Sequence, residues 1–136
     1  MKKLIYLDNA ATTKTSEEVV AAMLPYFTEY YGNPSSVYEF ASESKKAVSN
    51  ARRTIAETLG AQENEIYFTA GGSEADNWAL KATAEAYQSK GKHIITSKIE
   101  HHAILHTCEY LEKERGAKIT YVDVDENGIV KLDELE

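Results

Sequence analysis

The chain has 136 residues, enough for one ordinary domain with a sizeable core, and its 43% apolar and 27% charged residues mark a folded globular balance. A formal net charge of −7 argues against nucleic acid or an acidic membrane surface as partner, since either would want a basic face. One cysteine, Cys108, excludes an internal disulfide framework and suits a reducing compartment, and no apolar run approaches the roughly 20 residues that span a bilayer. The start, MKKLIYLDNAATT, is basic, but LIYL is too short for a signal-peptide core and Asp8 interrupts it, so the expected location is the cytoplasm.

In chain order, TSEEVVAAMLPYFTEYY (15–31) opens with hydroxyl and acidic residues and continues with apolar residues at helical spacing, with Pro25 kinking or dividing the helix. GNPSSVY (32–38) is a loop. EFASESKKAVSNARRTIAETLGA (39–61) reads as a long amphipathic helix with Ala47, Val48, Ala51, Ile55 and Leu59 inward and Gly60 as its stop. EIYFT (65–69) is a strand, SEADNWALKATAEAYQSKG (73–91) a helix ending at Gly91, and KHIITSK (92–98) a second strand. HHAILHTCEYLEKERG (101–116) is a helix ending at Gly116, AKITYVDVD (117–125) a third strand, ENG a turn, and KLDELE the capping start of a further helix. Strand–helix–strand–helix–strand at these lengths implies an α/β fold with parallel strands flanked by helices. A three-stranded parallel sheet is narrow, and such sheets are covered on both faces, so the chain reads as the front part of a larger protein.

Two clusters carry chemistry. At FTAGGSEADNWAL (68–80) a strand meets Gly71 and Gly72, whose missing Cβ lets backbone N–H groups approach a ligand, and then a helix N-terminus with its partial positive charge. Ser73 is expected as N-cap, with Asp76 three residues on as a variant capping box, and its hydroxyl would add a donor. The stretch is neither a P-loop nor a dinucleotide fingerprint, and the acids Glu74 and Asp76 fill part of the positive niche. On the residues alone an anion site and a plain tight turn both stay open.

The second cluster, IEHHAILHTC, holds three of the four histidines and the cysteine. His102 and His106 share a helix face, but one helix cannot also gather Cys108, and no second cluster completes a zinc site, so no metal is expected. His101 lies at a strand exit, on the edge where open parallel sheets collect ligands, together with Gly72 and Ser73. An imidazole there can stack on an aromatic ligand and pass protons near neutrality, or simply sit at a helix start.

YLDNAATT (6–13), GNPSS (32–36), IYFTAGGSEADNWA (66–79) and ITSKIEHHAILHTCEYLE (95–112), in this order, resemble cysteine desulfurases of the NifS/IscS type, pyridoxal-phosphate enzymes related to class V aminotransferases. The resemblance covers nearly the whole chain. It implies a partial fold-type-I architecture, with an N-terminal segment and its helices at 1–60 and the start of the cofactor-binding large domain at 61–136. It implies that Gly72 and Ser73 bind the phosphate of pyridoxal 5'-phosphate, Ser73 replacing the commoner threonine. His101 would then stack on the pyridine ring and serve as the candidate catalytic residue for proton transfer. The GNPSS loop would lie near the active site of a homodimer and DNAATT close to the cofactor region, although Tyr38 stands where members often carry histidine and Ala41 where they carry glycine.

The implied reaction takes sulfur from L-cysteine, giving L-alanine and an enzyme persulfide for iron–sulfur clusters or thiolated products, delivered to acceptor or scaffold proteins. A selenocysteine lyase, another class V enzyme, or a non-catalytic binding module are the alternatives. The family's Schiff-base lysine, its aspartate facing the pyridine nitrogen and its sulfur-accepting cysteine belong to later segments. Lys92 and Lys98 do not carry the lysine motif, and Cys108, within a helix, is expected to be a packed, inert thiol. The 136-residue chain alone is therefore expected to be inactive.

Overall fold

The computed structural model describes residues 4–135. They form two compact units, Met1–Tyr67 and Phe68–Glu136.

In the first unit, helix α1 (Glu17–Met23) begins where the Ser16 hydroxyl oxygen accepts the Val19 N–H, with Glu17 and Glu18 complementing the positive end of the helix. Pro25 divides the expected 15–31 helix. Its ring cannot supply the N–H that continuation requires, so it starts a second short helix, α2 (Pro25–Thr28), whose last turn closes when Glu29 and Tyr30 both donate to the Pro25 carbonyl. The loop that follows is tied by the Asn33 side chain, which accepts the Ser35 N–H at 2.9 Å. Gly32 is demanded by packing, because a Cβ there would lie 2.9 Å from both the Ala41 Cα and the Phe40 carbonyl oxygen.

Helix α3 (Ser42–Leu59) ends as expected at Gly60, in the left-handed region at φ +67°. Its buried face differs from the expected one. Ser44 and Ala56 are buried, and Ala47 and Val48 half-buried, whereas Ala51, Ile55 and Leu59 are exposed. Two stripes with four-residue spacing run side by side on this helix, and the covered one contains Ser44, whose hydroxyl donates to the Tyr30 carbonyl from the preceding helix end. A 3₁₀ turn at Glu63–Glu65 follows, closed by the Glu65 carboxylate accepting the Gln62 N–H at 2.7 Å.

The expected strand over Glu65 to Thr69 does not form. Glu65 ends the 3₁₀ turn, and Ile66 is extended at φ −99°, ψ 122°, but no ladder partner faces the segment among the described residues. Extended backbone becomes a strand only by pairing with a neighbour.

The second unit is built on α4 (Gly72–Ala86), β1 (His93–Ser97), α5 (His102–Arg115) and β2 (Lys118–Val122). The two strands pair in parallel, with His93 opposite Lys118 and Ser97 opposite Val122, and α5 is the crossover between them. Among the described residues the sheet therefore has two strands rather than the three expected. Helix α5 packs on β2 and against α4, and the core gathers Cys108, Leu111 and Val122, with Thr107 and Ser97 buried beside them. Helix α4 stops at Ala86 rather than near Gly91, giving way to a turn in which Lys90 and Gly91 donate to the Tyr87 carbonyl. Helix α5 ends at Gly116, again left-handed at φ +67°.

After β2, the Asp125 carboxylate accepts the N–H groups of Asn127 and Ile129, each at 2.9 Å, and Gly128 turns the chain at φ +81° into a bridge between Val124 and Val130. The last segment is a 3₁₀ turn, Leu132–Glu134, rather than the opening of a helix. Among the described residues no helix is long and apolar enough to cross a membrane.

Candidate functional site

The corner at Gly71–Ser73 begins α4 differently from expectation. Gly71, in extended backbone, is the N-cap, and its carbonyl accepts the N–H groups of Glu74 and Ala75 at 3.1 and 3.2 Å. Ser73 thus lies inside the first turn and does not cap it, and Asp76 closes no capping box. The reach-back is made by Glu74, whose carboxylate accepts the Ala70 N–H at 2.7 Å, while the Thr69 hydroxyl donates to the Gly71 carbonyl. The local cause is the glycine pair, since a residue with no side chain can take the cap position and moves the helix start two residues earlier than a Ser73 cap would place it.

Three features of the corner suit an anion. The N–H groups of Gly72 and Ser73 precede the first intrahelical bonds and have no acceptor within the helix. The Cβ directions of Gly71 and Gly72 meet nothing within 4 Å, so the space in front of the backbone is open. The Ser73 hydroxyl makes no hydrogen bond among the described residues. Against them stands the Glu74 carboxylate, though its hydrogen bond to the Ala70 N–H draws it back behind the turn.

Ser73 and His101 line the same cleft, of about 420 Å³, between the start of α4 and the first turns of α5. Gly72 forms the helix start beside it and is not among the lining residues. His101 is the N-cap of α5, and its Nδ1 accepts the Ala103 N–H at 3.1 Å. His102 and His106 line the cleft further along α5, their rings stacked with centroids 5.4 Å apart. Among the described residues no group of three or more His, Cys, Asp or Glu side chains is arranged to hold a metal ion.

Four lining residues, Asn77, Thr107, Lys81 and Tyr110, had no role assigned to them from the sequence. Asn77 joins the two helices, its amide nitrogen donating to the Ser73 carbonyl at 2.9 Å and its amide oxygen accepting the hydroxyl of buried Thr107 at 2.8 Å. This link fixes the turn that carries Ser73 relative to the helix that carries His101. Lys81 and Tyr110 close the far end, with the Lys81 ammonium 4.9 Å from the centre of the Tyr110 ring. The signal that could have found Asn77 is its place four residues after Ser73, on the same helix face.

Cys108 is fully buried, and burial followed by the nearby charge of Glu100 pushes its thiol pKa up. A raised pKa and no solvent access make a poor nucleophile. Lys98 lies outside the cleft, paired with Asp123 at 2.7 Å, and Lys92 lines a separate groove of about 1090 Å³ that contains none of Gly72, Ser73 and His101.

The cofactor's chemistry fits these residues at two points. Free N–H groups, an open glycine pair and a hydroxyl match a phosphate ester, and an exposed imidazole in the same cleft matches the flat face of a pyridine ring.

The model of the aminotransferase class-V family matches residues 5–136. The chain is 57% identical over all its 136 residues to cysteine desulfurase IscS of Clostridium botulinum (strain Kyoto / Type A2), of which it covers 34%. A solved NifS-like protein superposes with a TM-score of 0.90 at 41% identity, over 96% of this chain and 36% of that one. The structure of SspA in complex with cysteine follows with a TM-score of 0.87 at 37% identity, over 96% of this chain and 37% of that one. The chain spans about a third of the length of the curated relatives it matches.

Proposed function

Because the chain belongs to the class V aminotransferase family, we propose that it forms the phosphate-binding end of a pyridoxal-phosphate-dependent cysteine desulfurase. The observation that carries this reading is the meeting of Ser73 and His101 in one cleft beside an open glycine corner. The reaction proposed for the whole protein removes sulfur from L-cysteine, giving L-alanine and an enzyme-bound persulfide. Similarity to proteins named cysteine desulfurase, and to one solved with cysteine bound, supports that substrate.

Each residue has a defined duty. The N–H groups of Gly72 and Ser73 bind the phosphate, with the Ser73 hydroxyl as a third donor. Charge-assisted hydrogen bonds of this kind contribute about 1.5–3 kcal/mol each, so the phosphate anchors and orients the ligand while taking no part in bond cleavage. His101 covers the ring face and holds a proton at Nε2. Asn77 and Thr107 keep the Ser73 turn in register with α5. When bound, pyridoxal phosphate supplies an electron sink for cleavage of bonds around the amino acid's α-carbon.

Cys108 does not carry the sulfur, because its thiol is enclosed and its pKa raised. The sulfur-accepting cysteine, the lysine that would anchor the cofactor and the acceptor proteins lie outside this chain. The 136 residues alone therefore bind the cofactor weakly and release no sulfide. We assign the whole protein to the cytoplasm as a homodimer. Exposed Phe27, Tyr31 and Val37 in the first unit support the pairing, since apolar side chains left in water favour association.

The test adds pyridoxal phosphate to the isolated chain and follows its amide resonances. Movement centred on Gly72 and Ser73, with the His101 ring following, is the expected result. Movement elsewhere, or none at millimolar cofactor, overturns the reading.

A further inference from the structure

A neutral imidazole has one donor nitrogen and one acceptor nitrogen, and what faces one nitrogen decides where the proton sits. At His101 the decision is made by the backbone. The Ala103 N–H points at Nδ1 at 3.1 Å, so Nδ1 must be the acceptor and Nε2 must carry the hydrogen. We propose that the Ala103 amide locks His101 as the Nε2–H tautomer, so that the capped ring offers the cleft a proton donor and no base, and that proton uptake is coupled to release of the α5 cap. Its catalytic meaning rests on the cofactor reading above. The lock itself does not.

The proton balance follows from the geometry. A proton arriving at His101 can bind only at Nδ1, because Nε2 is already protonated. The resulting imidazolium has Nδ1–H facing the Ala103 N–H, two donors with no acceptor, and the cap is lost. The imidazolium can then give up its Nε2 proton, which leaves the ring in the opposite tautomer and still uncapped. A complete transfer through His101 thus enters at one nitrogen, leaves from the other and passes through an open helix start. While capped, the ring can hydrogen-bond and stack but cannot accept.

The first turn of α5 carries the positive end of its helix beside the capped ring. Lys81 on α4 lines the same cleft, and His102 and His106 stand on α5, the His102 ring centroid 6.2 Å from that of His101. Tyr110 completes the titratable groups of the cleft. The neighbouring acids are engaged elsewhere, since Glu100 accepts the Ser97 hydroxyl at 2.9 Å and Glu109 faces His106 Nδ1 at 3.7 Å. Ala103 acts through His101 and is a positioning residue.

The experiment records long-range nitrogen–proton spectra of the ¹⁵N-labelled chain without cofactor across a pH titration. The expected result is an acceptor-type Nδ1 and a hydrogen-bearing Nε2 at His101 once the ring is neutral. The Ala103 amide resonance should shift in step with protonation of the His101 ring. In His101→Asn, whose side-chain oxygen caps a helix and does not titrate, that step should vanish. A neutral His101 with hydrogen on Nδ1 overturns the proposal, as does an Ala103 amide that shifts equally in His101→Asn. The tautomer measurement needs no variant, so misfolding of His101→Asn does not remove the test. Pyridoxal phosphate added afterwards separates the two ideas, because silent Gly72 and Ser73 amides refute the cofactor site while the tautomer stands or falls on its own spectrum.

Discussion

Substituting Gly72 by alanine should move stability and ligand affinity in opposite directions. Gly72 is the first residue of α4, its φ lies outside the left-handed region, and an added Cβ meets nothing within 4 Å. Alanine in such a place restricts the unfolded chain more than glycine does and costs nothing in the folded one, so the isolated chain should gain about 0.5 kcal/mol. The same methyl group projects into the space where a phosphate would meet the Gly72 and Ser73 N–H groups. Crowding of that order costs about 1–3 kcal/mol, or about 5- to 150-fold in the Kd for pyridoxal phosphate. Urea unfolding followed by circular dichroism gives the first quantity, and titration with the cofactor gives the second. Higher stability with unchanged affinity would refute the phosphate corner. Lower stability, by about 1 kcal/mol or more, would refute the open geometry from which both effects are derived.

Three further outcomes are expected. Thr107→Val and Asn77→Ala, combined in a double-mutant cycle, should show a coupling of about 0.5–1.5 kcal/mol in thermal or urea unfolding, and strict additivity would remove Asn77 as the link between α4 and α5. Cys108 should react with an aromatic disulfide reagent only at the rate at which the unit opens, and fast labelling in native buffer would contradict its burial. Asp123 has its pKa lowered chiefly by its hydrogen bond to Lys98, so its contribution to stability is present above the ordinary carboxylate range and lost as pH falls through the lowered value. Lys98→Met should flatten that acid limb in pH-dependent unfolding, and an unchanged limb would show the exposed pair to be idle.

What could be read from the chain and what could not divide along physical lines. Gly60 and Gly116 end their helices where expected because a left-handed residue is a local requirement that glycine meets by itself. The β1–α5–β2 unit and the position of His101 at its turn were legible for a similar reason, since period, caps and turn residues all lie within a few positions. The expected 65–69 strand failed because pairing is a property of a neighbour and not of the segment. The covered face of α3 was misassigned because Ala51, Ile55 and Leu59 are as regularly spaced as the stripe holding Ser44 and Ala56, and only the packing of the Tyr30 carbonyl on Ser44 chooses between them. Ser73 gave up the cap position to Gly71 because bare glycine backbone can start the helix by itself, ahead of the hydroxyl. The Asn77–Thr107 bond joins residues 30 apart, and no local pattern announces it.

The two-stranded parallel sheet has a consequence for how the molecule behaves in a test tube. Each of β1 and β2 is paired on one side only among the described residues, and the other side has a row of amide and carbonyl groups with no strand paired to it. Such rims are templates on which further strands can be laid, and neither rim here is blunted by proline or a bulge. The material should therefore be kept dilute and cold, with its solubility governed by concentration more than by salt, and any polypeptide that completes the sheet should act first as a solubiliser.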